Sequence, residues 1–459
     1  MSSTGSIAEV REGRLCFDGV DVAALADRLP TPFFLFSARQ LRWNVESLRN
    51  AFARRHLDTE LFYASKACSN MWFLRQVQDS GINVEVNAGG ELHKALKAGF
   101  RPDQIVFNGV AKTRAEVREA VQAGIRAVIV DSLYELERVA DVAAYLGRRG
   151  AVALRVDVDV PTQTHPGMAT THGGKAGIDL DDALAGFRYA AAHEWIELCG
   201  LHMHIGSQIT DTAPYVRAIE VALDLMQGVE ADTGVRLEFL DIGGGFAVPY
   251  RRVDPGGGCD AADYFCNTLA ADDYAEAICS ALERRRPDLR LFIEPGRAVA
   301  ASAAILVARV ENQKIKRVRD DHGTVIGEER WLAIDAGYNT LLEHCLYEWY
   351  YPAVVANRAG EPPVTAFRLA GPLCDGGDVF VGDDGSEFRH FPSTTGVGDV
   401  VAFSNTGAYS LEMMQPCNAQ PRAAAHAVER GEVVQIRRRE TYEDMTAHDV
   451  VSVAAVGRQ

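Results

Sequence analysis

From about Thr31 to Val299 the chain alternates short runs of β-branched and aromatic residues with amphipathic, helix-like segments. The runs include PFFLFS, LFYAS, NVEV, QIVFNG, AVIVD, AVALRVDV, LCGLHMHIG, LEFLDIGGG and LRLFIEP; between them lie stretches such as SARQLRWNVESLRNAFARR and DSLYELERVADVAAYLGRR. Strand and helix in alternation predict crossover units and a parallel sheet buried on both faces. Some eight repeats over about 270 residues suit a (β/α)8 barrel, which typically takes ~250, better than an open doubly wound sheet. Beyond Ala301 the texture changes to β-rich runs between Gly, Asp, Asn and Pro turns, including AAILVARVENQKIKR, ERWLAIDAG, TAFRLAGPLC and DVVAFSNTGAY. These predict an antiparallel β-domain, and GRLCFDGVDV near the start has the same character. The expected organisation is an N-terminal strand segment over 1–30 that completes the β-domain, a barrel over 31–299, and the C-terminal β-domain over 300–459. DPGGGCDAAD and VRDDHGTVIGEE read as exposed loops or excursions.

Composition narrows the function classes. With 459 residues, 47% of them hydrophobic, the chain can bury large cores. A net charge of −16 argues against a nucleic-acid partner, which needs clustered Lys and Arg. The best apolar run, Ala298 to Val307, is short and closed by Arg309, so no membrane span is expected. The start, MSSTGSIAEVREG, lacks the basic and apolar regions of a secretory signal, and the cytoplasm is the expected location. Nine cysteines without CxxC spacing fit reduced thiols and no metal site, with a catalytic thiol left open.

Reacting groups of a barrel sit at the C-terminal ends of its strands. Five strand ends carry polar chemistry there: Lys66, Asn108, His204 with Ser207, the glycines Gly243, Gly244 and Gly245, and the turn from Glu294 through Gly296 to Arg297. Each has a bland reading. Lys66 alone is as readily a surface or ion-paired amine, the glycines a tight turn, His204 a core histidine, and Glu294 with Arg297 a structural ion pair. A lysine buried near apolar groups and cations, however, has its neutral form favoured and forms a Schiff base with an aldehyde. Glycines let backbone N–H groups approach a phosphate, an imidazole stacks on a flat ring, and a carboxylate holds a ring-nitrogen proton. Together these are the parts that pyridoxal phosphate requires.

The order YASKACSN, IVFNG, HMHIGSQ, DIGGGF, IEPGR, GPLCDGGDVF, GAYS and RRRETYEDM resembles the fold-type III pyridoxal phosphate-dependent decarboxylases, the diaminopimelate decarboxylases above all, from about Gly13 to Asp449. The resemblance implies an alanine-racemase-like barrel with a β-domain. It implies that Lys66 is the Schiff-base lysine, that His204 covers the ring, and that Gly243 to Gly245, Ser207 and the EPGR turn with Gly296 cradle the phosphate. Glu294 would keep the ring nitrogen protonated, Arg297 would help hold the substrate, and Tyr409 would meet cofactor and substrate. Cys374 matches the thiol that protonates the carbanion; with its acidic neighbour it would reach into the partner's site of a homodimer. Lys175 lies in a loop that the family also has, without an assigned role.

The substrate-reading positions depart from the family. Where diaminopimelate decarboxylases carry an arginine four residues before a tyrosine, this chain reads EHCLY, so Glu343 precedes Tyr347. A carboxylate there repels a distal carboxylate and favours a distal ammonium. The family's CESGD is CDGGD, which places Asp375 as in ornithine decarboxylases; Cys417 stands for a tyrosine, and Glu85 for an aspartate at the ring. These departures imply a decarboxylase of a diamino acid, ornithine- or lysine-like and of either configuration, D included, or of a related biosynthetic intermediate. Alternatives are authentic meso-diaminopimelate decarboxylation, racemisation, or cofactor binding without catalysis.

Overall fold

The computed structural model describes residues 7–55, 58–170, 173–251 and 263–450; the part of DPGGGCDAAD before Asp263 lies outside them. They divide into two units: 37–304 with 405–412, and the stretch before 37 with 305–404 and the stretch from 413.

The first unit is a closed barrel. Strands Thr59–Ala64, Asn83–Val86, Ile105–Phe107, Ala127–Val130, Gly150–Asp157, Ile196–His202, Phe239–Asp241 and Arg290–Ile293 pair in that order, each parallel to the next, and the eighth pairs with the first. Helices between them begin and end on local signals. Asn70 caps helix Met71–Asp79 by accepting from Trp72 N–H at 2.9 Å, and helix Arg114–Ala123 opens on a Thr113/Glu116 capping box and ends at Gly124 with φ +72°.

Two layers fill the barrel, and strand periodicity explains both. Phe62, Val106, Ala153, Phe239 and Phe292 form one apolar cluster, with Phe239 stacked on Phe292 at 4.2 Å between centroids. Side chains two residues apart share a face. Two residues further along, the same strands therefore present Asn108, Arg155, Asp241 and Glu294 to the interior, all buried. In the sixth strand the position level with the apolar layer is Gly200, where a Cβ would meet the Phe239 ring at 2.5 Å, and two residues on lies His202. An aromatic floor thus underlies a polar layer at the strands' C-terminal ends.

The second unit holds a mixed β-sheet. Ala304–Arg319 pairs antiparallel with Val325–Ile334 and with Val400–Phe403. Trp331–Ala333, however, runs parallel to Arg368–Ala370, so the purely antiparallel expectation is corrected. PFFLFS, read as the opening of the barrel, is strand Phe33–Ser37 of this sheet, between Ala304–Arg319 and Ala424–Glu429. Its side chains are buried throughout, a pattern shared by barrel strands and central sheet strands, so pattern alone does not assign it. The N-terminal segment forms its own three-stranded sheet, Ala8–Arg11, Arg14–Phe17 and Val20–Asp21. Leu15, Phe17 and Val22 pack in one core with Ile305, Val307, Val400 and Ala402. VRDDHGTVIGEE, read as an excursion, is the tip of the hairpin between Ala304–Arg319 and Val325–Ile334. Among the described residues seven cysteines are free, but Cys266 is disulfide-bonded, which corrects the reading of nine reduced thiols. Pairing depends on Cα geometry, not on a CxxC motif. Among the described residues no helix is long and apolar enough to cross a membrane.

Candidate active site

Lys66 sits in the single 3-10 turn Ser65–Ala67 that closes the first barrel strand. Ser65 Oγ donates to Glu91 at 2.9 Å, and Ala64 N–H donates to Pro295 O at 3.3 Å, which ties the turn to the second helical repeat and the eighth strand end. Tyr409 N–H donates to Ala67 O at 2.7 Å. Residues 405–412 thus pack with the barrel, not with the β-domain in which the sequence placed Tyr409. Tyr409 takes φ +57°, the left-handed region that disfavours a residue with a Cβ.

Lys66, His204, Ser207, Gly244, Gly245, Glu294, Gly296, Arg297 and Tyr409 line one cavity, so the structure unites the residues expected at the cofactor. Gly243 is behind the lining. Its bare backbone, φ +66°, leaves room for His204, because a Cβ would lie 2.5 Å from the imidazole Nδ1. A Cβ on Gly244 would lie 2.2 Å from the Glu294 carbonyl oxygen, and one on Gly245 2.4 Å from that of Gly206. Gly244 N–H donates to His204 Nδ1 at 3.3 Å, which fixes the ring's orientation. Arg297 is buried, donates to Tyr250 Oη at 3.1 Å and lies 4.7 Å from the centre of the Tyr409 ring.

The cavity end of the barrel is dense in ionisable groups. Burial pulls the Lys66 amine down, but Glu85, Tyr409 and Glu294 outweigh it and the net shift is upward. The charged form is therefore favoured, which corrects the expectation of a neutral-favoured lysine: the carboxylates and Tyr409 around it outweigh burial and the Arg155 cation. Burial and the Lys66 charge hold His204 well below its usual value, so its ring is a flat, uncharged surface. Burial pushes Glu85 up to about 8 despite the attraction of Lys66. Glu85 Oε2 accepts from Asn87 Nδ2 at 3.0 Å, and Oε1 has no hydrogen-bond partner.

That raised value has a stability consequence. The fold favours protonated Glu85, so its contribution is complete below the unfolded value near ~4.3 and is lost as pH rises through about 8. Glu85→Gln is expected to flatten the decline of Tm across that window relative to wild type, as thermal melts at stepped pH will read. An unchanged slope would mean that Glu85 is ionised throughout.

Arg155, His202 and Asp241 were not singled out from the sequence, although the period-2 offset from the aromatic layer marks all three. Lys175 is exposed and outside the cavity lining.

The β-domain carries the remaining predicted residues. Cys374 and Asp375 are both exposed. Cys374 N–H donates to Asn418 Oδ1 at 2.7 Å. Asp375 Oδ1 accepts from Gly377 N–H at 2.8 Å, and its Oδ2 accepts from Tyr338 Oη at 3.2 Å. That Tyr338 hydroxyl also lies 3.4 Å from Cys417 Sγ, so Asp375, Tyr338 and Cys417 form one cluster; Tyr338 was missed from the sequence. Glu343 is buried, and its Oε2 accepts from Tyr351 Oη at 2.9 Å. The carboxylate expected to face a substrate is turned into the domain, because a buried charge takes the donor nearest to it. Tyr347 is half-buried, with its N–H on Glu343 O at 2.9 Å.

Residues 39–301 match the family model described as "Pyridoxal-dependent decarboxylase, pyridoxal binding domain". The chain is 32% identical over 436 residues to a diaminopimelate decarboxylase of Aquifex aeolicus, covering 95% of each chain. To one of Neisseria meningitidis it is 34% identical over 428 residues, covering 93% of this chain and 96% of that one. A crystal structure of diaminopimelate decarboxylase from M. jannaschii superposes with TM-score 0.86 at 30% identity, over 97% of this chain and 98% of the other.

Proposed function

The chain belongs to the fold-type III pyridoxal phosphate-dependent decarboxylases, of the diaminopimelate decarboxylase type, and from that premise we propose that it removes the α-carboxyl group of an amino acid whose distal end is an amine. The observation that carries the chemistry is the single cavity joining Lys66, His204, Glu294 and Arg297.

The residues fit the family's cofactor. Glu294 Oε1 is buried without a hydrogen-bond partner, as an acceptor reserved for a ring N–H must be. Gly244 and Gly245 line the cavity, and a Cβ on either would strike a backbone carbonyl oxygen, so only bare backbone fits at this turn. When bound, pyridoxal phosphate supplies an aldehyde for amines and a ring that accepts the electrons released with carbon dioxide. Lys66 Nζ is the anchoring amine, and the carboxylates around it stabilise positive charge on that nitrogen. Glu294 would keep a proton on the ring nitrogen, His204 would cover one face of the ring, and Ser207 with the N–H groups of Gly245 and Gly296 would receive the phosphate. Arg297, fixed against Tyr409, holds the substrate carboxylate, which orients the bond to be broken. Cys374 returns a proton to Cα from the partner subunit of a homodimer, and Asp375 beside it meets the distal ammonium.

Two features support the distal amine. Asp375 is an exposed carboxylate braced by Tyr338, and Glu343 leaves no guanidinium where a distal carboxylate needs one. Meso-diaminopimelate is the second reading, favoured by identities of 32% and 34% to diaminopimelate decarboxylases. Carbon dioxide release from diaminopimelate and from D- and L-ornithine and lysine separates the two. We expect a diamino acid to exceed diaminopimelate in kcat/KM by at least ~10-fold, about 1.4 kcal/mol of discrimination. Turnover of diaminopimelate alone would sink the distal-amine reading.

A further inference from the structure

Beneath the cavity, the ends of the sixth, seventh and eighth strands bring His202, Asp241 and Glu294 together, with one ligand-type atom of each within 4.8 Å of the others. All three are buried. His202 Nε2 lies 3.4 Å from Glu294 Oε2 and 3.0 Å from Asn108 Nδ2. Asp241 Oδ1 accepts from Gly243 N–H at 2.9 Å, and Oδ2 finds no donor. Asp241 and Glu294 each bring a carboxylate oxygen within 4.8 Å of the other. Two buried carboxylates this close repel each other when both are ionised, and a proton on one of them removes that repulsion.

We propose that the proton resides on Asp241, which as a neutral acid donates to the Glu294 carboxylate and so acts as a positioning residue for the group that meets the cofactor's ring nitrogen. The surroundings divide the pair. Burial pushes Glu294 up, but His202, whose Nε2 lies 3.4 Å away, and the Lys66 ammonium outweigh it and hold it down at about 2. Burial and the charge of Glu294 raise Asp241 well above the usual aspartate range, against the single N–H of Gly243. Arg155, the remaining cation of this layer, donates to Asn108 Oδ1 at 3.3 Å. A donated proton fixes the rotamer of Glu294 and leaves its Oε1 aimed at the cavity, whereas an ionised Asp241 would repel it.

The inference rests on the reading of Glu294 as the ring-nitrogen partner, and the test separates the two. Asparagine reproduces the shape and donor of a protonated aspartic acid but not the charge of an ionised one. An infrared difference spectrum at pH 7, wild type minus Asp241→Asn, is expected to show the C=O band of a protonated carboxylic acid. Bands of an ionised carboxylate in its place would overturn the assignment, whatever the cofactor does. In cofactor titrations followed by fluorescence, Asp241→Asn is expected to stay within ~3-fold of wild type and Asp241→Ala to weaken binding at least ~10-fold. Equal losses in the two variants would also overturn it. If the alanine variant does not fold, the infrared result decides alone. Wild type that binds no pyridoxal phosphate would fail the functional reading and leave the proton assignment to the infrared arm.

Discussion

Replacing Lys66 with alanine is expected to lower kcat at least ~1000-fold, the scale at which a residue that handles both a covalent bond and a proton is felt. Lys66 is the amine of the cavity, and the other cation that lines it, Arg297, cannot lose its proton to act as a nucleophile. Lys66→Arg keeps the charge that Glu294 balances, yet should be as inactive as the alanine variant. A merely electrostatic role predicts instead that arginine rescues. Borohydride reduction followed by mass spectrometry gives a second readout: in wild type the cofactor should become fixed to the peptide containing Phe62 to Asn70, and in both variants it should not. Substantial turnover by either variant would return Lys66 to the status of an ion-paired amine.

Gly244→Ala should weaken binding of pyridoxal phosphate ~100-fold. The added Cβ would lie 2.2 Å from the Glu294 carbonyl oxygen. That atom is backbone of the strand end carrying Glu294, and Glu294 N–H donates to Gly243 O at 2.8 Å, so neither side gives way without moving the other. Overpacking of this kind costs about 1 to 3 kcal/mol, the upper end of which corresponds to the expected affinity loss. Gly90 is the control: it lies in helix Gly89–Ala98, and a Cβ there meets nothing within 4 Å. Gly90→Ala should leave affinity unchanged and raise stability by up to about 1 kcal/mol. Fluorescence titration and thermal melts on the two variants together distinguish a local clash in the cradle from a general intolerance of substitution.

The cavity-facing chemistry was legible because it lies in contiguous turns. YASK, HIGS, IGGG and EPGR each place a functional side chain within a residue or two of a strand end, and the strand itself is recognisable from its apolar run. What escaped was set by contacts distant in sequence. Asp241 and His202 lie inside the apolar runs, and only the register between strands shows that their side chains point into the barrel. The upward shift of Lys66 depends on Glu85 and Glu294, 19 and 228 residues further along. PFFLFS is uniformly apolar, so its sheet is decided by its pairing with strands some 270 and 390 positions away. The orientation of Glu343 turns on Tyr351, two helical turns later in number but outside the short helix Leu342–Leu346.

The aromatic layer of Phe62, Phe239 and Phe292 has a bearing on proton traffic. Rings in van der Waals contact offer no donors or acceptors, so no relay of water or side chains passes through that level of the barrel. The polar layer of Lys66, Glu294 and Asp241 thus rests on an apolar floor, and a proton that exchanges with these groups does not come through those rings.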